Sequence, residues 1–259
     1  MKVDMNLAKE AAIEAGKVIL KYYKADYEIE EKGYHNPVTT ADKKADEIIK
    51  KVLMTRRQEY GWLSEETKDS SDRLNKKFVW IVDPIDGTKE FIEGVPEFVV
   101  SIALVEEGEP IIGVIFNPVK KEMFVAAKNL GSFFNDTKIR CISKEKISEM
   151  SILNSKSELK RGDWNEYIET FGKLNSVGSV AYKLALTAAG DADVFISLRP
   201  KNEWDICAGN CIINEAGGAL VDLNGNPRKY NLKNTLIDFG IVAGNAITVK
   251  KVLPIVEIK

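Results

Sequence analysis

Between residues 6 and 23, apolar side chains fall at Leu7, Ala8, Ala11, Ala12, Ala15, Val18 and Ile19. This spacing of three and four places a single apolar stripe along a helix. Residues from about 40 to 57 repeat it with Ala45, Ile48, Ile49, Val52 and Leu53, so the pattern predicts two amphipathic helices. A polar loop over 68–77 leads into Phe78-Val79-Trp80-Ile81-Val82, whose β-branched and aromatic residues predict a buried strand that stops at Asp83-Pro84. Further runs at 98–105, 110–116 and 122–127 are separated by short turns rich in Glu, Gly, Asn and Pro, which predicts an antiparallel meander.

From about residue 137 the order changes to alternating strand and helix. An apolar helix is expected within 179–189, a strand at 193–197, a helix at 205–216 and a strand at 219–222 after Gly217-Gly218. The expected class is therefore α/β. An α+β half (1–136) carries most of the candidate acids, and an α/β half (137–259) completes a site between the two. No internal repeat, low-complexity tract or flexible linker interrupts the 259 residues, so the halves are expected to be tightly packed.

Composition narrows the function classes. Lys and Arg total 37 against 39 Asp and Glu, a net charge of −2, which provides no field to gather nucleic acid or an acidic membrane surface. Small molecules are the expected partners. No run reaches the roughly 18 apolar residues of a membrane span. Three cysteines, Cys141, Cys207 and Cys211, are an odd number, and no apolar leader precedes the first helix; both features predict a reduced, cytoplasmic protein.

The chemistry is concentrated in Asp83-Pro84-Ile85-Asp86-Gly87-Thr88. Two acids three apart, at the end of a buried strand, are strongly unfavourable unless cations compensate them, and oxygen-rich sites suit Mg²⁺. Pro84 fixes the backbone between them, and the Ile85 carbonyl offers a third oxygen. The amides of Gly87 and Thr88 would face an incoming phosphate. The competing reading is a capped turn. Glu65, in Ser64-Glu65-Glu66, and Asp205, in Trp204-Asp205, also end or begin apolar elements; alone they read as a solvated loop and an N-cap.

Taken together, Val38-Thr39-Thr40-Ala41-Asp42, Ser64-Glu65-Glu66, Asp83 to Thr88 and Trp204-Asp205-Ile206-Cys207-Ala208-Gly209 resemble the motifs of the inositol monophosphatase superfamily, lithium-sensitive and magnesium-dependent phosphatases. The resemblance implies a layered αβαβα sandwich of the sugar-phosphatase type and two or three Mg²⁺ ions. It further implies that Glu65, Asp83, the Ile85 carbonyl, Asp86 and Asp205 are metal ligands. Asp42 and Thr88 would orient and activate the attacking water, with no covalent phosphoenzyme. Ile85, Asp86, Gly87, Thr88, Gly178, Ser179, Lys201 and Asp205 would contact substrate. Family members are often dimers, so a homodimer is the expectation by analogy.

Other chemistries find little support. His35, the only histidine, sits in a loop, and Cys207 and Cys211 have no matching cluster for zinc. There is no Gly-x4-Gly-Lys-Ser/Thr loop and no Gly-x-Gly-x-x-Gly run, and Trp62, Trp80, Trp164 and Trp204 are scattered rather than interleaved with basic residues. For substrate, Lys89-Glu90-Phe91 and Pro200 to Asp205 resemble the 3′(2′),5′-bisphosphate nucleotidase branch. Inositol monophosphatases carry a hydroxyl-accepting acid seven residues before the last Asp, where this chain has Leu198 beside Arg199 and near Lys201. Basic side chains there would suit a second phosphate. The expected substrate is 3′-phosphoadenosine 5′-phosphate, with inositol monophosphate or fructose bisphosphate as the alternative; an inactive metal-binding scaffold is the reading from another class.

Overall fold

The protein is described from a computed structural model, which covers residues 1–33 and 36–256; His35 lies outside the described residues. The helices are α1 (Lys2–Tyr22), α2 (Thr40–Arg56), α3 (Thr88–Ile92), α4 (Lys156–Lys160), α5 (Val180–Ala189), α6 (Glu203–Glu215) and α7 (Ala246–Val256). A hairpin of β1 (Ile29–Gly33) and β2 (Asn36–Thr39) precedes α2. A seven-stranded sheet follows, ordered as in the chain: β3 (Gly61–Ser64), β4 (Phe78–Asp86), β5 (Val99–Glu106), β6 (Glu109–Asn117), β7 (Glu122–Ala127), β8 (Gly131–Phe134) and β9 (Thr137–Lys138). Only β3 and β4 pair in parallel within it.

The second sheet has five strands, β10 (Ser151–Asn154), β11 (Lys173–Ser176), β12 (Val194–Ser197), β14 (Gly218–Asp222) and β16 (Ile241–Asn245), in the order β11-β10-β12-β16-β14. β13 (Lys201–Asn202) pairs with β15 (Leu236–Ile237) beside the start of α6. β10 and β11 are only four residues long, too short for the sequence pattern to single out.

The period-two alternation of the strands sorts these elements into five layers. Trp80 and Val82 of β4 face α1 and α2, burying Leu7, Ala11, Ala15, Ile49 and Leu53 with them. Val79 and Ile81 face the other way, onto Ala185 of α5 and Ala208 and Ile212 of α6. The far side of that helical layer meets Phe195 of β12 and Ala243 of β16. Their neighbours Val194, Ile196 and Val242 point outward, against Val249 and Val252 of α7. The chain is thus a mixed α/β protein layered αβαβα, as expected.

Two glycines set the depth of the middle layer. A Cβ at Gly113 of β6 would lie 2.3 Å from the Ala208 carbonyl oxygen of α6. One at Gly209 would lie 2.4 Å from Leu184 Cδ1 of α5. The backbone of α6 is therefore held directly against the sheet on one side and α5 on the other, and both helices begin at the same cavity. The short α3 is anchored by Phe91, fully buried, edge-on to Phe98 at 5.2 Å and beside Tyr23 and Tyr27. Five residues cannot hold a helix unaided, so this aromatic cluster positions the Gly87-Thr88 turn.

Candidate active site

One cavity of about 470 Å³ gathers Glu65, Asp83, Ile85, Asp86, Gly87, Thr88, Gly178, Ser179, Lys201 and Asp205, a size suited to a small metabolite. These are the ligands and substrate contacts expected from the sequence, apart from Asp42. Asp42 is buried just behind, where its Oδ1 accepts the Thr88 hydroxyl at 2.9 Å. Its Oδ2 accepts the Thr39 amide (2.7 Å) and hydroxyl (2.5 Å), closing the capping box of α2. Asp42 thus belongs both to the cap of α2, with Thr39, and to the pair with Thr88 that the resemblance assigns to the attacking water, so its two readings are compatible.

Asp83 ends the regular register of β4; the pairing with β5 breaks between Asp83 and Asp86, so both acids turn toward the cavity. The Ile85 amide donates to Asp83 Oδ1 at 3.0 Å. Gly87 caps α3 with φ +104°, and a Cβ there would also lie 3.0 Å from the Glu97 carbonyl oxygen. That left-handed turn, which glycine adopts without penalty, brings Thr88 back onto Asp42 and within 3.1 Å of the Ile85 carbonyl. Asp205 sits at the third position of α6, its Oδ2 accepting the Asn202 amide at 2.9 Å. The helix opens at Glu203, two residues earlier than the sequence suggested.

Burial first, then the charges of Glu65, Asp86, Asp205 and Asp42, hold the Asp83 carboxyl well above the usual range. Burial together with Asp86 and Glu65 raises Asp205 to about 8. Asp86 is raised mainly by burial and drawn back by hydrogen bonds from Ser179 Oγ (2.6 Å) and the Ala181 amide (2.5 Å). Acids that raise one another share one low-dielectric space, which a divalent cation would relieve. The donor set fits Mg²⁺, being carboxylates and a carbonyl without imidazole or thiolate. Among the described residues no three such side chains enclose a point by themselves. Mg²⁺ retains several waters and requires few protein ligands, so an open wall of acids suits it.

Several residues that shape the site left no separate sequence signal. Asp46, one turn after Asp42 on the buried face of α2, accepts Ser64 Oγ (2.5 Å) and Thr67 Oγ1 (2.6 Å), fixing the loop that carries Glu65. An acid within an apolar helical stripe could have marked it. Lys183 of α5 is buried and donates to the carbonyls of Val177 (2.8 Å) and Ser179 (2.5 Å). It holds a turn in which Ser179 has φ +56°. Glu97 accepts the Gly178 amide at 2.8 Å and pairs with Lys156 at 2.6 Å.

The basic loop differs from its expected role. Arg199 is exposed and forks onto Asp163 at 2.9 and 2.5 Å. Lys201 lines the cavity, but its ammonium donates to the carbonyls of Arg199 (3.3 Å) and Pro200 (3.1 Å) and lies 3.7 Å from buried Glu158. Phe91 is core, not a substrate contact. Cys207 and Cys211 are fully packed in the middle layer.

An αβαβα sandwich with an acid-walled cavity and a paired Thr–Asp beside it defines a metal-assisted hydrolase acting on small charged esters. The model of the inositol monophosphatase family matches residues 2–257, and the chain belongs to that family. It is 32% identical to the inositol-1-monophosphatase of Rhizobium meliloti over 98% of this chain and 96% of that protein. Among solved structures, the extragenic suppressor protein suhB from Bartonella henselae superposes with TM-score 0.86 at 31% identity, covering 99% of both chains. CysQ from Bacteroides thetaiotaomicron superposes with TM-score 0.77 at 30% identity, over 93% of this chain and 97% of that one. The chain is accordingly a magnesium-dependent hydrolase of phosphoric monoesters, acting on small phosphorylated molecules. No helix among the described residues is long and apolar enough to cross a membrane.

Proposed function

We propose that the enzyme hydrolyses the phosphate monoester of a small polyol, with inositol 1-phosphate as the reference substrate. The observation that carries this reading is the engagement of the basic loop. Arg199 is committed to Asp163, and Lys201 to two carbonyls and Glu158, so the charge expected to receive a second phosphate is already spent. The likeness to an inositol-1-monophosphatase over nearly the whole chain supports the same substrate class.

Glu65, Asp83, the Ile85 carbonyl, Asp86 and Asp205 would hold two Mg²⁺ ions. When bound, the metal supplies charge neutralisation at the phosphate and acidifies water near it. The rest falls to the chain. Thr88 has one hydroxyl proton and two acceptors in reach, the Asp42 carboxylate and the Ile85 carbonyl. The carboxylate is the stronger acceptor, so the hydroxyl proton points to Asp42 and a lone pair on Thr88 is left to accept a hydrogen bond from the attacking water. As that water gives its proton to Thr88, the Thr88 hydroxyl proton passes to Asp42 Oδ1. Asp42 is held in place for this by the cap on Thr39. The amides of Gly87 and Thr88, at the start of α3, bind phosphate oxygens. Ser179 and the Ala181 amide keep Asp86 aimed into the cavity.

A second reading, 3′-phosphoadenosine 5′-phosphate hydrolysis, is favoured by the likeness to CysQ and by exposed Lys89 at the cavity rim. Phosphate release with Mg²⁺ from inositol 1-phosphate, fructose 1,6-bisphosphate and the nucleotide, compared by kcat/KM, separates them. Preference for inositol 1-phosphate is expected; a tenfold or greater preference for either bisphosphate would reject the polyol monophosphate reading.

A further inference from the structure

The cavity that gathers the acids expected to hold metal is also lined by Glu90, Lys156, Gly178 and Lys183, beside the turn whose Ser179 contacts Asp86. Most of the polar groups on this wall are already engaged: Lys156 by Glu97, Lys183 by two backbone carbonyls, and Ser179 by Asp86.

Glu90 differs. Its side chain lies flat across Gly178, where a Cβ would meet Glu90 Cγ at 2.4 Å and Oε1 at 2.8 Å. That contact fixes the carboxylate at the cavity wall, half-buried. Among the described residues no other side chain donates a hydrogen bond to it; its own amide is its only near donor. Burial disfavours its charge, and the ammonium groups of Lys183 and Lys156 partly restore it. A carboxylate has two oxygens and about four lone-pair sites, so at this position it retains acceptor capacity that water or a ligand must fill.

We infer that Glu90 is a specificity-determining residue, accepting hydrogen bonds from neighbouring hydroxyls of the leaving group, so that the substrate is a phosphate ester of a polyhydroxylated ring or chain. This inference rests on the polyol reading above and extends it to a named side chain. A hydroxylated leaving group fills the open acceptor sites, whereas an apolar one leaves them empty in a partly desolvated wall, and such a mismatch is the strongest form of discrimination.

The experiment compares kcat/KM for inositol 1-phosphate and cyclohexyl phosphate, which has a six-membered ring without the hydroxyls, in wild type, Glu90→Gln and Glu90→Ala. Wild type should favour inositol 1-phosphate by about 100-fold or more. Glu90→Ala should shrink that ratio at least tenfold, and Glu90→Gln, which keeps the shape against Gly178 and one acceptor oxygen, should fall between. An unchanged ratio, whether both substrates slow together or neither does, would assign Glu90 a purely structural role and overturn the inference while leaving the polyol reading standing. A wild-type enzyme that cleaves only a bisphosphate would remove the reading itself, and the inference with it.

Discussion

Adding one methyl group at Gly113 should impair both stability and catalysis, although the residue lies in the sheet, outside the cavity lining. The new Cβ would sit 2.3 Å from the Ala208 carbonyl oxygen and 3.0 Å from Cys211 Cβ, where ordinary contact begins at 3.4 Å. The obstacle is helix backbone rather than a side-chain tip, so α6 must retreat from β6 by about 1 Å. Its other side offers no room, because Gly209 is already pressed on Leu184. Overpacking of this kind costs about 1–3 kcal/mol. For a chain of this length that lowers Tm by roughly 2–4 °C per kcal/mol. The same retreat carries Asp205 away from Asp83, and a misplacement of about 1 Å can cost ~100-fold in rate. Thermal melts of Gly113→Ala, with Mg²⁺ titrations of phosphate release, should show a lower Tm, a higher half-saturating Mg²⁺ and a lower kcat. An unchanged melt and an unchanged Mg²⁺ curve would refute the claim that this contact sets the site's geometry.

Thr88→Val keeps the shape of the side chain and removes the hydroxyl that donates to Asp42. Its kcat should fall about 10²–10⁴-fold with half-saturating Mg²⁺ within threefold of wild type, and a normal kcat would exclude Thr88 from water activation. Burial pushes the Cys141 thiol up to about 12 and raises the Cys207 and Cys211 thiols as well, so at pH 8 thiolate is scarce in the native protein. Iodoacetamide should label all three only after denaturation; stoichiometric labelling of the native enzyme would show that the middle layer is less closed than described.

The layers and the acids were legible because each leaves a local mark. The apolar stripes of α1 and α2 and the alternation in β4 to β7 predicted burial on definite faces, and the structure buries Leu7, Ala11, Ile49, Leu53, Trp80 and Val82 there. Asp83 and Asp86 were conspicuous because a buried strand rarely ends in two carboxylates without a cation. The remainder depends on contacts distant in sequence. Arg199 and Lys201 read as free charges because Asp163 and Glu158 stand some 40 residues upstream. Glu90 lay within a familiar-looking tripeptide, and only the fold brings its carboxylate over Gly178. Asp46 looked like any helical acid until Ser64 and Thr67 closed on it. Strands β10 and β11 are too short to show a period, and their parallel pairing depends on the crossover between them.

The most direct test of the central claim, that the acids converging on this cavity form the magnesium site of a phosphatase, is phosphate release from inositol 1-phosphate by wild type and Asp83→Asn across a Mg²⁺ titration. Asn at this position preserves size and removes one of several mutually repelling buried charges, so the variant should fold and melt no lower than metal-free wild type. Wild type should be active with Mg²⁺ and silent with chelator, and Asp83→Asn should lose at least ~10³-fold in kcat/KM at every Mg²⁺ concentration. Turnover by Asp83→Asn within tenfold of wild type, or wild-type turnover indifferent to Mg²⁺, would contradict the account.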